Sequence, residues 1–138
     1  MKALLVALTL SVTSACSGRS FPAVEGTTRV EVRTNHDSLG TITHRERIAA
    51  ILSFVNEHRT DWEQPWAGVP IGKLGVTLFR DREVQGSFTV VDGFFESQRE
   101  GDFFSRDAQP EVIARFRSLL APYSDVGRPS SSMSRNER

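Results

Sequence analysis

The stretch Leu74-Gly75-Val76-Thr77-Leu78-Phe79-Arg80-Asp81-Arg82-Glu83-Val84-Gln85-Gly86-Ser87-Phe88-Thr89-Val90 decides the fold. Leu74, Val76 and Leu78 alternate with Gly75, Thr77 and Phe79. After the polar break from Arg80 to Glu83, Val84, Gly86, Phe88 and Val90 alternate with Gln85, Ser87 and Thr89. Successive strand residues point to opposite faces, so each run reads as a strand with one apolar face and the break as a turn. Asp92-Gly93 is a strong turn signal, Phe94 to Gln98 the next strand, Glu100-Gly101 another turn, and Asp102 to Arg106 a further strand. The region is a four-stranded meander.

Toward the N-terminus, Thr28, Val30, Val32 and Thr34 alternate with Arg29, Glu31 and Arg33, which predicts a half-buried strand. Asn35 to Thr41 supplies turn residues. Thr43 and Glu46 have the spacing of a capping box, and Ile48, Ile51, Leu52 and Val55 fall at i, i+3, i+4 and i+7, so a helix is expected to run to about His58. A long connection, Arg59 to Lys73, carries Trp62 and Trp66 on either side of Pro65. Beyond the meander, Pro110 suits the first turn of a second helix with Val112, Ile113, Phe116, Leu119 and Leu120 on its apolar face, and Pro122 stops it. The order β-α-β-β-β-β-α predicts an α+β domain: a single antiparallel sheet with both helices on one face.

A chain of 138 residues, 38% hydrophobic and 25% charged, allows one such domain, placed at 27–122, with a short polar tether at 16–26 and a disordered tail at 123–138. Lys and Arg number 17 against 17 Asp and Glu, so no basic field invites nucleic acid. Cys16 is the sole cysteine, which rules out an internal disulfide and a cysteine-built zinc site.

Met1-Lys2 followed by the apolar run Ala3 to Leu10 and the mostly small residues Ser11 to Ala15 has the three parts of a secretory signal, expected to occupy 1–15. The run is too short to span a bilayer, which takes about 20 apolar residues. Thr13-Ser14-Ala15-Cys16 resembles the lipobox of bacterial lipoprotein precursors, with Thr13 where that family most often has Leu. The same stretch also suits the ordinary signal peptidase, and both readings cut before Cys16. The resemblance implies lipidation of Cys16, hence a membrane as partner, a place in the cell envelope, and palmitate among the attached chains. Ser17 resembles the signal that sends such proteins to the outer membrane, facing the periplasm, if the cell is Gram-negative.

His36-Asp37 with His44 is the only cluster suited to metal or acid-base chemistry, and its spacing matches no ligand motif. It supports one alternative, a small envelope hydrolase or metal-handling protein; loop and helix-start positions explain the same residues by solvation alone. No nucleophile elbow, Ser-x-x-Lys or phosphate loop is present, and the carboxylate pairs, Glu25 with Glu31 and Glu96 with Asp102, read as surface charge. The expectation is a non-catalytic binding or structural domain, without metal or cofactor, that meets an envelope protein partner.

The most unusual feature is aromatic. Phe94-Phe95 and Phe103-Phe104 lie on neighbouring predicted strands, and each doublet puts one ring on each side of the sheet. Either the Trp62–Trp66 loop covers the helix-free face, or that face is an exposed apolar patch; Trp62, Trp66, Phe95 and Phe104 are the expected binding residues.

Cys16→Ser is expected to release the protein from membranes. Metabolic labelling with a fatty acid checks this, and a variant labelled as strongly as wild type would refute the anchor.

Overall fold

A computed structural model describes residues 18–65 and 72–123. Its elements are β1 (Arg29–Arg33), β2 (Ser38–Ile42), α1 (Arg45–Glu57), β3 (Leu74–Arg80), β4 (Glu83–Val91), β5 (Phe94–Arg99), β6 (Asp102–Asp107) and α2 (Pro110–Leu119). They form one six-stranded antiparallel sheet in the order β2-β1-β3-β4-β5-β6, with both helices on the same face. The expected succession β-α-β-β-β-β-α holds, with β2 added between the first strand and α1.

β2 falls where turn residues were expected. It brings Gly40, Ile42 and, at a bulge, Leu39 to the core, so no apolar alternation announces it. The open edge of β1 supplies its backbone partners, and the Tyr123 ring sits where a Cβ on Gly40 would stand. Pairing of Ile42 with Val30 also holds the chain extended into the helix start. His44 becomes the N-cap with no side-chain cap bond, so the Thr43–Glu46 capping box does not form.

The helix face carries the core. Val30 and Val32 from β1, Leu74, Val76 and Leu78 from β3, and Phe88 and Val90 from β4 meet Ile48, Ile51, Phe54 and Val55 of α1 and Phe116 of α2. At its centre Phe54, Phe88, Phe95 and Phe116 pack with ring centroids 4.7–5.9 Å apart, the separations at which edge-on and tilted rings attract. Arg115 of α2 holds Glu57 of α1 through two hydrogen bonds of 2.7 and 3.1 Å, which keeps the Glu57 carboxyl below its ordinary pKa.

The meander's hairpins are set by their turns. Glu100 and Gly101 both have positive φ, as a two-residue I′ turn requires, and Arg99 pairs directly with Asp102. Between β3 and β4 the register slips: Leu78 opposes Gly86 and Phe79 opposes Val84, leaving Gln85 as the extra residue of a bulge. The side chain of Gln85 donates from Nε2 to the Glu25 carbonyl at 2.7 Å and accepts at Oε1 from the Thr27 hydroxyl at 2.6 Å.

Those bonds belong to a correction at the N-terminus. The stretch expected as a free tether is packed from Gly18 onward: Arg19 and Trp62 exchange backbone hydrogen bonds of 2.7 and 3.1 Å, Phe21 donates to the Arg59 carbonyl, and the Asn56 side chain bonds both backbone groups of Val24. Phe21 and Val24 are buried: Phe21 packs edge-on against Phe104 at the β5–β6 end of the core, ring centroids 4.9 Å apart, and Val24 is held against α1 by Asn56. At the other boundary Tyr123, expected in the tail, packs against the core. Residues 1–17 and 124–138, with the signal, Cys16 and most of the tail, lie outside the described residues. Among the described residues no helix is long and apolar enough to cross a membrane.

Phe21→Ala is therefore expected to cost about 3 kcal/mol, the scale for emptying a buried aromatic site. Denaturant unfolding checks this; a midpoint unchanged from wild type would return residues 18–26 to the role of a tether.

Candidate functional site

Cross-strand pairs share a face, so the register assigns every side chain of the sheet. Hydrogen-bonded two-residue turns fix Val90 opposite Phe95 and Ser97 opposite Phe104. Phe95 and Phe104 therefore point with Phe88 and Val90 into the core and are 0% and 2% exposed. This corrects their assignment as binding residues: the outward rings are Phe94 and Phe103. Trp62 is also in the core, its ring 5.7 Å from Phe88 and 5.8 Å from Phe21, and its Nε1 donates to the His58 carbonyl at 2.7 Å. The loop turns back under the helix end, where an indole can both bury its ring and satisfy its N–H, so Trp62 does not cover the second face. Trp66 lies outside the described residues.

The face that carries no helix among the described residues holds a broad cleft of about 890 Å³. Two cross-strand rows of mostly polar side chains run across this face. One row runs Arg33, Gly75, Thr89, Glu96 and Ser105; the other runs Glu31, Thr77, Ser87, Gln98 and Phe103. Gly75 is required in its row: a Cβ there would stand 2.5 Å from the Thr89 hydroxyl and 2.9 Å from the Phe88 carbonyl. Among the described residues the exposed large apolar side chains are Val84 and Phe103, and both line this cleft. Phe79 lines the same end, with the Arg29 guanidinium 3.8 Å from its ring centroid.

Glu96 is the site's chemical feature. It is only 8% exposed, and its Oε1 is sealed from solvent with no hydrogen-bond partner among the described residues. Burial pushes its pKa above the ordinary carboxylate value, because the ionised form loses water without gaining a donor. Asp102, with which it was paired as surface charge, stands opposite Arg99 on the helix side of the sheet, so the two carboxylates face apart.

His36, Asp37 and His44 are exposed, and among the described residues no group of three His, Cys, Asp or Glu lies close enough to hold a metal ion. His36 and Arg33 line the far end of the cleft. His58 is occupied structurally, its Nδ1 donating to the Phe54 carbonyl at 2.7 Å.

No protein-family model matches the chain, and no characterised protein and no solved structure matches it.

A carboxyl whose folded pKa is raised favours folding below the unfolded pKa and loses that contribution as pH rises through the folded value. At neutral pH the buried charge of Glu96 therefore works against stability. Glu96→Gln is expected to raise the unfolding midpoint by a few degrees near pH 7, roughly the shift that 1 kcal/mol produces in a domain this size, and to lose the gain near pH 4. Thermal scans at both pH values check this; a variant less stable than wild type near pH 7 would mean the carboxylate is satisfied in the folded protein.

Proposed function

We propose that this chain is an envelope lipoprotein, lipid-anchored through Cys16, whose domain is non-catalytic and binds a small ligand in the cleft on the helix-free face of its sheet. One observation carries the reading. Val84 and Phe103, the large apolar side chains that the described residues leave exposed, line the same cleft as a buried carboxyl without a partner. A concave surface with apolar walls and a few inward polar groups is the usual form of a ligand site, and the cleft's volume lies within the range such sites span, about 300–1,000 Å³.

Binding fits the chemistry better than turnover. General acid-base or nucleophilic catalysis needs an acid or base within hydrogen-bond reach of its working partner, and among the described residues no imidazole or hydroxyl is bonded to the sealed oxygen of Glu96. The anchor rests on the lipobox-like Thr13-Ser14-Ala15-Cys16 and the small residues before it. With two or more acyl chains, such an anchor would hold the domain stably at a membrane; the packed segment from Gly18 would leave it close to that surface.

Native mass spectrometry of the chain purified from membranes is expected to show a bound small-molecule adduct on wild type. The adduct should be absent from Phe103→Asp at an unchanged unfolding midpoint. An adduct equally abundant on the variant, or none on wild type, would contradict the reading.

A further inference from the structure

At the β5–β6 end of the sheet the strand arginines lie on one face, with Asp102 beside them, and the other carboxylates lie on the opposite face. Arg99 and Arg106 share the helix side with Phe95 and Phe104. Glu96 and Asp107 share the other side, and Glu63, which bridges Ser105 in register with Glu96, joins them. Glu100, in the β5–β6 turn, lines the same cleft. Among the described residues the cations facing this region are distant or engaged. Arg33 stands in the Glu96 row but three strands away, about 14 Å between backbones. His36 follows it in the turn. Arg29 lies over Phe79, and Lys73 is bound to Asp92 at 2.7 Å. Glu31 on β1 adds a further carboxylate to the face.

Two needs thus coincide at Glu96. Among the described residues, its sealed oxygen lacks a donor although two hydroxyl residues, Thr89 and Ser105, are its direct cross-strand neighbours, and no unengaged positive charge stands beside it. An apolar wall stands beside it: Phe103 is diagonal to Glu96 across β5 and β6, and such neighbours lie about 7–8 Å apart.

We propose that the cleft binds a small ligand carrying a protonated amine on an apolar body, the amine donating to the Glu96 carboxylate and the body lying against Phe103. The proposal rests on the reading of this cleft as a ligand site and names its ligand class. An ammonium in the cleft gives the carboxylate group a donor and a compensating charge together, and a hydrogen bond between two ions is about twice as strong as one between neutral groups. A neutral alcohol supplies only the donor. A carboxylate would meet Glu96, Glu100 and Glu63. The ring of Phe103 adds an attractive face for a cation that leans away from the carboxylate. Because the ammonium needs Glu96 ionised, binding should weaken as pH falls through the raised pKa of that carboxyl and level off above it.

Hexylamine, hexan-1-ol and hexanoate are titrated separately into the ¹⁵N-labelled full chain carrying Cys16→Ser. The expected result is saturable shifts of the Thr89, Glu96, Phe103 and Ser105 amides with hexylamine, at least about ten-fold weaker binding of the other two, and a similar loss of hexylamine affinity in Glu96→Gln with an otherwise native spectrum. Equal binding of hexylamine and hexan-1-ol at these amides, or full hexylamine affinity in Glu96→Gln, overturns the amine assignment while leaving the cleft as an apolar ligand site. If no probe moves these amides, both the amine assignment and the ligand-site reading fail.

Discussion

The packing of Phe88 against Phe54, Phe95 and Phe116 is the contact on which the rest of the structure depends. These four rings tie two strands and both helices together, and each is 1% exposed or less. Both helices must lie on one side of the sheet to reach them. The remaining elements are arranged to finish that single core: Trp62 closes it beneath the end of α1, Phe21 plugs the β5–β6 end, and Tyr123 closes over β2. Burial of apolar surface is the dominant favourable term in folding, and this protein concentrates it on one side of the sheet.

That concentration leaves the second face with a different task. A sheet face open to solvent normally carries polar residues, and the rows through Thr77, Ser87, Thr89, Gln98 and Ser105 follow this rule. Glu96, Phe103 and Val84 are among the residues that break it, with Phe79 and Phe94 beside them on this face. A sealed carboxylate oxygen without a donor opposes folding, and an exposed ring or valine adds nothing to the core. Departures from local folding rules gather where a protein does something other than fold. Here Glu96, Phe103 and Val84 line one cleft.

Much of this was legible in the residues. Alternation located the four meander strands and the first strand, and the 3.6-residue period located both helices. The Phe doublets were informative only in part: alternation says that each puts one ring on each side, but not which ring. The missing step is also in the sequence, because two-residue turns at Asp92-Gly93 and Glu100-Gly101 fix Phe95 and Phe104 on the side of Phe88. β2 left no signal, since a strand whose inward residues are Gly40, Ile42 and a bulged Leu39 takes its order from neighbours. Trp62 and residues 18–26 were missed for a related reason. Aperiodic segments are positioned by the gaps they fill, which exist only once the sheet and helices have met. Glu96 looked like ordinary surface charge because burial on a helix-free face depends on the strands flanking it.

Hydroxyl-radical footprinting of the folded chain, read residue by residue with mass spectrometry, tests the central claim that the aromatic core lies on one face of the sheet and Phe103 is exposed on the other. The account predicts rapid oxidation at Phe103 and protection of Phe88, Phe95, Phe104 and Phe116 until global unfolding. Protection of Phe103 equal to that of Phe95 would contradict it.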